Sequence, residues 1–189
     1  MPHKPVQYRS LATYEKLLDA AGELLAEEGV ERISTNRIAD RAGVTPPTLY
    51  HYFEDKYAVL TALGKRLMDA QNALVALDPA QDEATIAKTL LDHVELTRKS
   101  AGGPWVMRML RAVPQLAEVR LSSHRALAEA LAERALALNR QKDRASLVLR
   151  ARLAVDLGYA AIELVFDEPE LDREEVMADA ARAIRALLL

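Results

Sequence analysis

Between residues 45 and 51 the side chains of Thr45, Pro46, Pro47, Thr48 and His51 are small, flat or singly hydrogen-bonding, and none is acidic. They offer methyl groups, ring carbons and single donors or acceptors, which is the chemistry needed to lie against base edges in a DNA major groove. Other chemistry finds little support. The chain has no cysteine, so disulfides, thiolate metal ligands and a thiol nucleophile are excluded. A glycine-rich phosphate loop, a HExxH pair and a GxSxG elbow are all missing. Ser122-Ser123-His124 and Asp92-His93 with Glu95 imitate catalytic sets, but adjacent residues on a helix diverge, so neither pairs a nucleophile with a base. The four histidines are scattered, which argues against a metal centre. The expectation is a protein that is not an enzyme and has no cofactor or metal.

A groove-reading face needs a scaffold, and the apolar residues around it provide one. Ile38-Ala39, Ala42-Gly43-Val44, Leu49 and Tyr52-Phe53 suit two short helices packed on a longer one, over Thr35 to Ala42 and Pro46 to Tyr52. Gly43 fits the tight turn between them. Ser34 or Thr35 can cap the first short helix and Thr45 the second, with Pro46 where a missing N–H costs nothing. Leu11, Tyr14, Leu17, Leu18, Ala21, Leu24 and Leu25 recur at helical spacing upstream, and Gly29 ends that helix. The same spacing would serve a three-helix fragment with no nucleic-acid partner, with Thr35 and Thr45 as caps alone, His51 an ordinary surface histidine, and Tyr50 and Tyr52 in the core.

The rest of the chain extends the helical reading. Ala, Leu, Glu, Asp and Arg dominate and aromatics are few, so an all-α protein is expected. A helix beginning near Glu54-Asp55 is expected to run through Leu60, Leu63, Leu67 and Leu74 until Pro79 stops it. Further helices are expected near residues 82–100, 104–112, 115–140, 143–167 and 172–188, separated at Gly102-Gly103-Pro104, Pro114, Asn139 to Asp143 and Pro169. Residues 1–9 read as a flexible arm. The domains expected are therefore this arm, a helix-turn-helix module over 10–56, and a helical body over 57–189. No signal peptide or membrane span is expected, because residues 1–9 are polar and the most apolar stretch, Leu153 to Phe166, is short and carries Asp156 and Glu163. A cytoplasmic location follows as the default.

The formal net charge of −3 opposes a globally basic nucleic-acid binder, so any positive face must be local. Glu15, Asp19, Glu23, Glu27 and Glu28 fall on the first helix, while Lys4, Arg9, Arg37, Arg41, His51, Lys56 and Lys65 gather around the groove-facing side.

From Ser34 to Leu60 the run STNRIADRAGVTPPTLYHYFEDKYAVL resembles the N-terminal domain of TetR-family transcriptional regulators, matching at Gly43-Val44, Thr48-Leu49-Tyr50, Tyr52-Phe53 and Lys56. The resemblance covers roughly residues 11–66. It implies that Thr35, Asn36 and Arg37 touch the DNA backbone or a base edge. By the same resemblance Thr45, Pro46, Pro47, Thr48 and His51 face the groove, while Tyr50 and Lys56 hold phosphates. Pro46 departs from the basic or small polar residue that many members carry, and a ring there removes one phosphate contact. The implied function is a repressor released from a palindromic double-stranded DNA operator by a small effector.

The family's arrangement also assigns roles to the C-terminal body. The helix near 143–167 is apolar almost all round from Leu153, and the helix near 172–188 carries a stripe of Val176, Ala180, Ile184, Leu187 and Leu188. Paired with their symmetry mates, the two would make a four-helix homodimer interface; a monomer burying both internally is the alternative. An effector pocket is implied by resemblance alone. Its candidate lining is His93, Trp105, Met109, His124, Tyr159 and Glu163, polar or aromatic groups on otherwise apolar helices, suited to a hydrophobic or aromatic molecule. Packing, for Trp105 and Met109, solvation, for the histidines, and an interface ion pair, for Glu163, are the competing roles.

Overall fold

A computed structural model describes residues 8–138 and 143–188 of the chain, and the regular elements among the described residues are all helices. The arm expected over residues 1–9 falls outside them except where the first helix begins at Tyr8. In chain order the helices are α1 (Tyr8–Glu28), α2 (Thr35–Ala42), α3 (Pro46–Tyr52), α4 (Lys56–Asn72), α5 (Glu83–Lys99), α6 (Gly103–Ala112), α7 (Ala117–Leu138), α8 (Arg144–Asp167) and α9 (Arg173–Leu188), with a 3-10 turn at Pro114–Leu116 before α7.

Local chemistry starts most of these helices. The Ser34 hydroxyl accepts the Arg37 N–H at 3.3 Å. Asp55, Asp82, Asp143 and Asp172 accept the N–H groups of Ala58, Thr85, Ser146 and Glu174 at 2.8–2.9 Å. Each cap satisfies a donor that has no partner inside its helix. Thr45 precedes α3 as expected, but its side chain does not cap: its hydroxyl bonds that of Thr48 at 2.9 Å.

The chain folds as two compact units, one comprising the residues up to Met68 with Arg98–Arg120 and the other Asp69–Thr97 with Leu121–Leu189. The first buries Leu17, Leu18, Leu24 and Leu25 of α1 with Ile38, Leu49, Phe53, Leu60 and Leu63. Helix α6 joins this core through Val106, Met107 and Leu110, although all of α5 separates it from α1–α4 in the chain. The approach is backbone to backbone: a Cβ on Gly22 would lie 2.3 Å from the Ala101 carbonyl oxygen, and one on Gly102 2.2 Å from that of Gly22.

In the second unit α5, α7, α8 and α9 bury Leu90, Val94, Leu127, Leu131, Val155, Ile162, Met177 and Ile184. Helix α4 ends at Asn72 rather than continuing toward Pro79. Leu74 and Val75 turn back onto the Gln71 and Asn72 carbonyls, and the Gln81 side-chain amide donates to the Ala76 and Asp78 carbonyls. Good helix formers are thus overridden, because Val75 and Ala76 are used to wall a cavity.

Candidate nucleic-acid interface and ligand cavity

Between helices α2 and α3 the chain turns at Gly43, whose φ of 67° is the left-handed geometry that ends α2. Helix α3 is anchored by Leu49 and by the Phe53 that follows it, both fully buried. Phe53 stacks on Tyr14 of α1 at 5.0 Å, and the Tyr52 hydroxyl bonds that of Ser10 at 3.0 Å. Tyr52 is thereby a half-buried packing residue. At 100° per residue, Pro47 and His51 fall diametrically opposite Leu49, and both are exposed. Thr45 is exposed beside them, whereas Pro46 and Thr48 are half-buried.

The residues flanking this face are tethered. Tyr50, 53% exposed, shares a hydrogen bond of 2.9 Å with the Thr35 hydroxyl, tying α3 to the start of α2. Lys56 donates to the Val30 carbonyl at 3.4 Å and lies 5.4 Å from the centre of the Tyr57 ring. Asn36 is exposed. The structure corrects the charge map expected from the sequence, in which acidic and basic residues occupied separate faces. Arg37 pairs with Glu28, and Arg41 pairs with Glu23 at 3.2 Å and Glu27 at 2.6 Å. The bond from Arg41 holds the Glu27 carboxyl below its usual range. Helical periodicity placed those acids on α1 but could not show which neighbour their outer face meets.

The second unit contains a half-open cavity of about 90 Å³. Its wall is almost wholly aliphatic, including Leu90, Leu127, Leu131, Val155 and Ile162, and carries no charged side chain. His93, Tyr159, Thr89 and Gln81 are its polar members. Of the six residues singled out from sequence, His93 and Tyr159 line it. His124 sits behind the wall, its ring stacked on Tyr159 at 4.1 Å and its Nδ1 donating to Asp156 at 2.7 Å. Trp105 and Met109 belong to α6 in the other unit, so they do not line this cavity: Met109 is core, and Trp105 is 44% exposed beneath the Arg108 guanidinium. Glu163 is half-buried and is not part of the wall. The stripe read along α9 is also divided, for Ala180 and Ile184 are buried within the chain, and Ile184 and Leu188 face the cavity.

Hydrogen bonds brace the cavity's polar residues. Burial holds the His93 imidazole below its usual pKa, against the pull of the Thr89 and Gln71 carbonyls. Burial also pushes the Tyr159 phenol up, and its hydroxyl donates to Asn72 Oδ1 at 3.4 Å. Partial burial raises the Asp156 carboxyl, but bonds from His124 and Arg152 outweigh this and leave it below its usual range. Gln71 and Asn72 were not legible as site residues. Arg152 and Asp156 were not singled out either, although their i, i+4 spacing is the signal of an ion pair, here 2.6 Å.

Among the described residues, no group of His, Asp and Glu is arranged to hold a metal ion, and no helix is long and apolar enough to cross a membrane.

The model of the bacterial regulatory proteins of the tetR family matches residues 17–63, which span most of α1 through the first half of α4. The HTH-type transcriptional regulator UidR of Escherichia coli (strain K12) is 27% identical over 188 residues, covering 95% of this chain and 94% of that protein. The nucleoid occlusion factor SlmA of Haemophilus ducreyi is 30% identical over 105 residues, 54% of this chain and 50% of that protein. The fold is shared with a tetR-family regulator from Streptomyces coelicolor, with a TM-score of 0.70, 22% identity and coverage of 93% and 80% of the two chains. It is shared equally with SmeT of Stenotrophomonas maltophilia, with a TM-score of 0.70, 23% identity and coverage of 94% and 90%. With the helix-turn-helix elements inside the matched segment and a relative of nearly the same length that regulates transcription, this chain is similar to the regulators of the tetR family and is a DNA-binding transcriptional regulator rather than an enzyme.

Proposed function

We propose that this protein is a homodimeric repressor that leaves a palindromic operator when a small, uncharged, apolar or aromatic molecule enters the cavity of its C-terminal body. The observation that carries the DNA half is the outer face of α3, where Pro47 and His51 are exposed directly opposite the buried Leu49 and no acidic side chain intervenes. In this reading Thr35, Asn36 and Arg37 meet the backbone or a base edge. Thr45, Pro46, Pro47, Thr48 and His51 face the groove, and Tyr50 and Lys56 hold phosphates. The arm over residues 1–9 and a DNA-binding domain over 10–56 precede the effector-binding and dimerisation body over 57–189.

The ligand class follows from the cavity. A charged ligand would lose its hydration with no countercharge in the wall, whereas an apolar one replaces water at little cost. An engineered cavity of about 150 Å³ holds benzene, so about 90 Å³ suits a ligand smaller than benzene unless side chains move. A neighbour in fold, SmeT, is known as a complex with triclosan, which supports a small-molecule ligand for this fold.

The test is selection of binding sites from random DNA duplexes at two salt concentrations, followed by release from the selected site with a panel of neutral and charged small molecules. A palindromic site released only by neutral members is expected. Absence of any enriched site at low salt would overturn the DNA-binding reading. On that site Lys56→Ala is expected to weaken binding to all sequences and flatten the salt slope by about 1, whereas Thr48→Ala changes the preferred base at a cost of about 1–3 kcal/mol. Identical behaviour of the two variants would exclude the docking proposed.

The cavity has its own check. A Cβ on Gly158 would lie 3.3 Å from Leu90 Cδ2 and 3.6 Å from Ile184 Cδ1, both flexible ends on the cavity wall. Gly158→Val is therefore expected to fill the space and abolish release by ligand while leaving operator affinity within about twofold, because it lies outside the DNA-binding residues. Retained release would place the effector elsewhere.

A further inference from the structure

The end of α1 is charged against its own helix. Glu27 and Glu28 occupy the last turn, where carbonyl groups already make the end negative, and no basic residue of α1 offsets them. Their compensation comes from α2, through the pairs Arg37 with Glu28 and Arg41 with Glu23 and Glu27. The pairs differ in exposure. Glu23 and Glu27 side chains are more than half exposed, so their hold on Arg41 is solvent-screened and easily exchanged. Glu28 is 18% exposed, and its second oxygen, Oε2, is buried without a hydrogen-bond partner. Arg37 is thus the ion-pair partner of a carboxylate that water reaches poorly, while Arg37 itself is 48% exposed.

We propose that Glu28 competes with DNA phosphate for Arg37, so that this carboxylate, rather than the number of basic residues, limits the contribution of α2 to DNA affinity. The proposal rests on the DNA docking described above. When Arg37 turns to a phosphate, Glu28 keeps a poorly hydrated charge with its partner withdrawn, and that cost opposes docking. In the free protein the pair neutralises a cation that would otherwise attract any polyanion, so non-specific affinity is held down. Glu23 and Glu27 act in the same sense on Arg41, more weakly because they stay hydrated. A chain with net charge −3 thereby keeps the cations of α2, beside the reading face, partly masked.

The test is DNA binding by the full chain over a range of salt concentrations, using a 30-base-pair duplex of random sequence and, once known, the selected site. Glu28→Gln keeps the shape of the side chain and removes its charge. It is expected to tighten binding roughly three- to tenfold at about 0.1 M salt and to steepen the log–log salt slope by about 0.9, the signature of one more phosphate contact. Glu31→Gln is the charge control, because Glu31 is exposed at the same end of α1 and makes no ion pair among the described residues. Its effect is expected to be under twofold, with an unchanged slope. The double variant R37Q/E28Q is expected to lose the gain. Should Glu28→Gln disturb folding by circular dichroism, the pair E23Q/E27Q, freeing Arg41, tests the same competition with a smaller expected gain. Equal behaviour of Glu28→Gln and Glu31→Gln, or a gain that survives in R37Q/E28Q, overturns the proposal while leaving the DNA reading intact. No binding by any of the proteins, the unaltered chain included, overturns both.

Discussion

Leu153→Arg is expected to convert the protein to a monomer and weaken operator binding by roughly 10²- to 10⁴-fold, the avidity normally lost when two linked binding modules are separated. The reason lies on the outer side of α8. Leu149 and Leu153 are 62% and 50% exposed, and Ala160 and Leu164 continue the same face at helical spacing while Ala151, Ala154, Val155 and Ile162 point inward. On α9, Val176 and Leu187 are only partly covered and Ala183 is exposed. Single exposed leucines are ordinary, but four apolar residues sharing one face, interrupted by the Arg152–Asp156 ion pair, are an unfavourable surface for a monomer. An arginine at position 153 would place a long charged side chain in the apolar contact and bring its own symmetry mate near it. A palindromic operator places its half-sites about 34–36 Å apart, so one module alone keeps only half the contacts. Sedimentation velocity and operator titration of the same sample check this. A dimer of normal affinity would remove α8 from the interface.

The second large effect concerns stability. Gly22→Ala is expected to destabilise the protein by about 3 kcal/mol, at the upper end of ordinary overpacking, because the new methyl group would lie 2.3 Å from the Ala101 carbonyl oxygen and 2.7 Å from its carbon. A flexible side chain could swing aside, but both obstacles here are backbone. For a chain of this length that loss corresponds to a fall of roughly 6–12 °C in Tm, read by calorimetry. Gly29→Ala is the comparison. Its φ of 77° is strained for alanine but its surroundings are open, so a cost of about 1 kcal/mol is expected. Equal melting of Gly22→Ala and the unaltered protein would mean that α1 and the start of α6 do not meet as closely as described.

These two predictions rest on different kinds of information. The apolar character of α8 was visible in the sequence, and so was its need for cover on more than one side. Which residues faced out was not. Val176, Ala180, Ile184, Leu187 and Leu188 share one stripe, yet Ala180 and Ile184 turn inward, because α9 packs on α8 of the same chain. Gly22 carried no signal at all: a glycine within a helical pattern reads only as a small loss of helix propensity. Its purpose is set by Ala101 and Gly102, far along the chain. Trp105 and Met109 were mistaken for cavity residues for the same reason, since composition marks a polar or aromatic group on an apolar helix but not the unit that helix joins.

What the sequence determined by itself were the features governed by neighbours within about four residues: the helix starts at Ser34, Asp55 and Asp143, the turn at Gly43, and the burial of Leu49 against the exposure of Pro47 and His51. Capping, positive φ and helical phase are local properties, so residue type and spacing suffice to read them. The tertiary structure alone decided the early end of α4, the recruitment of α6 to the N-terminal core, the small uncharged cavity around His93 and Tyr159, and the pairing of Arg37 and Arg41 with the acids of α1. Each depends on which distant surfaces meet, and a helical period names the face a residue occupies without naming the partner that face will find.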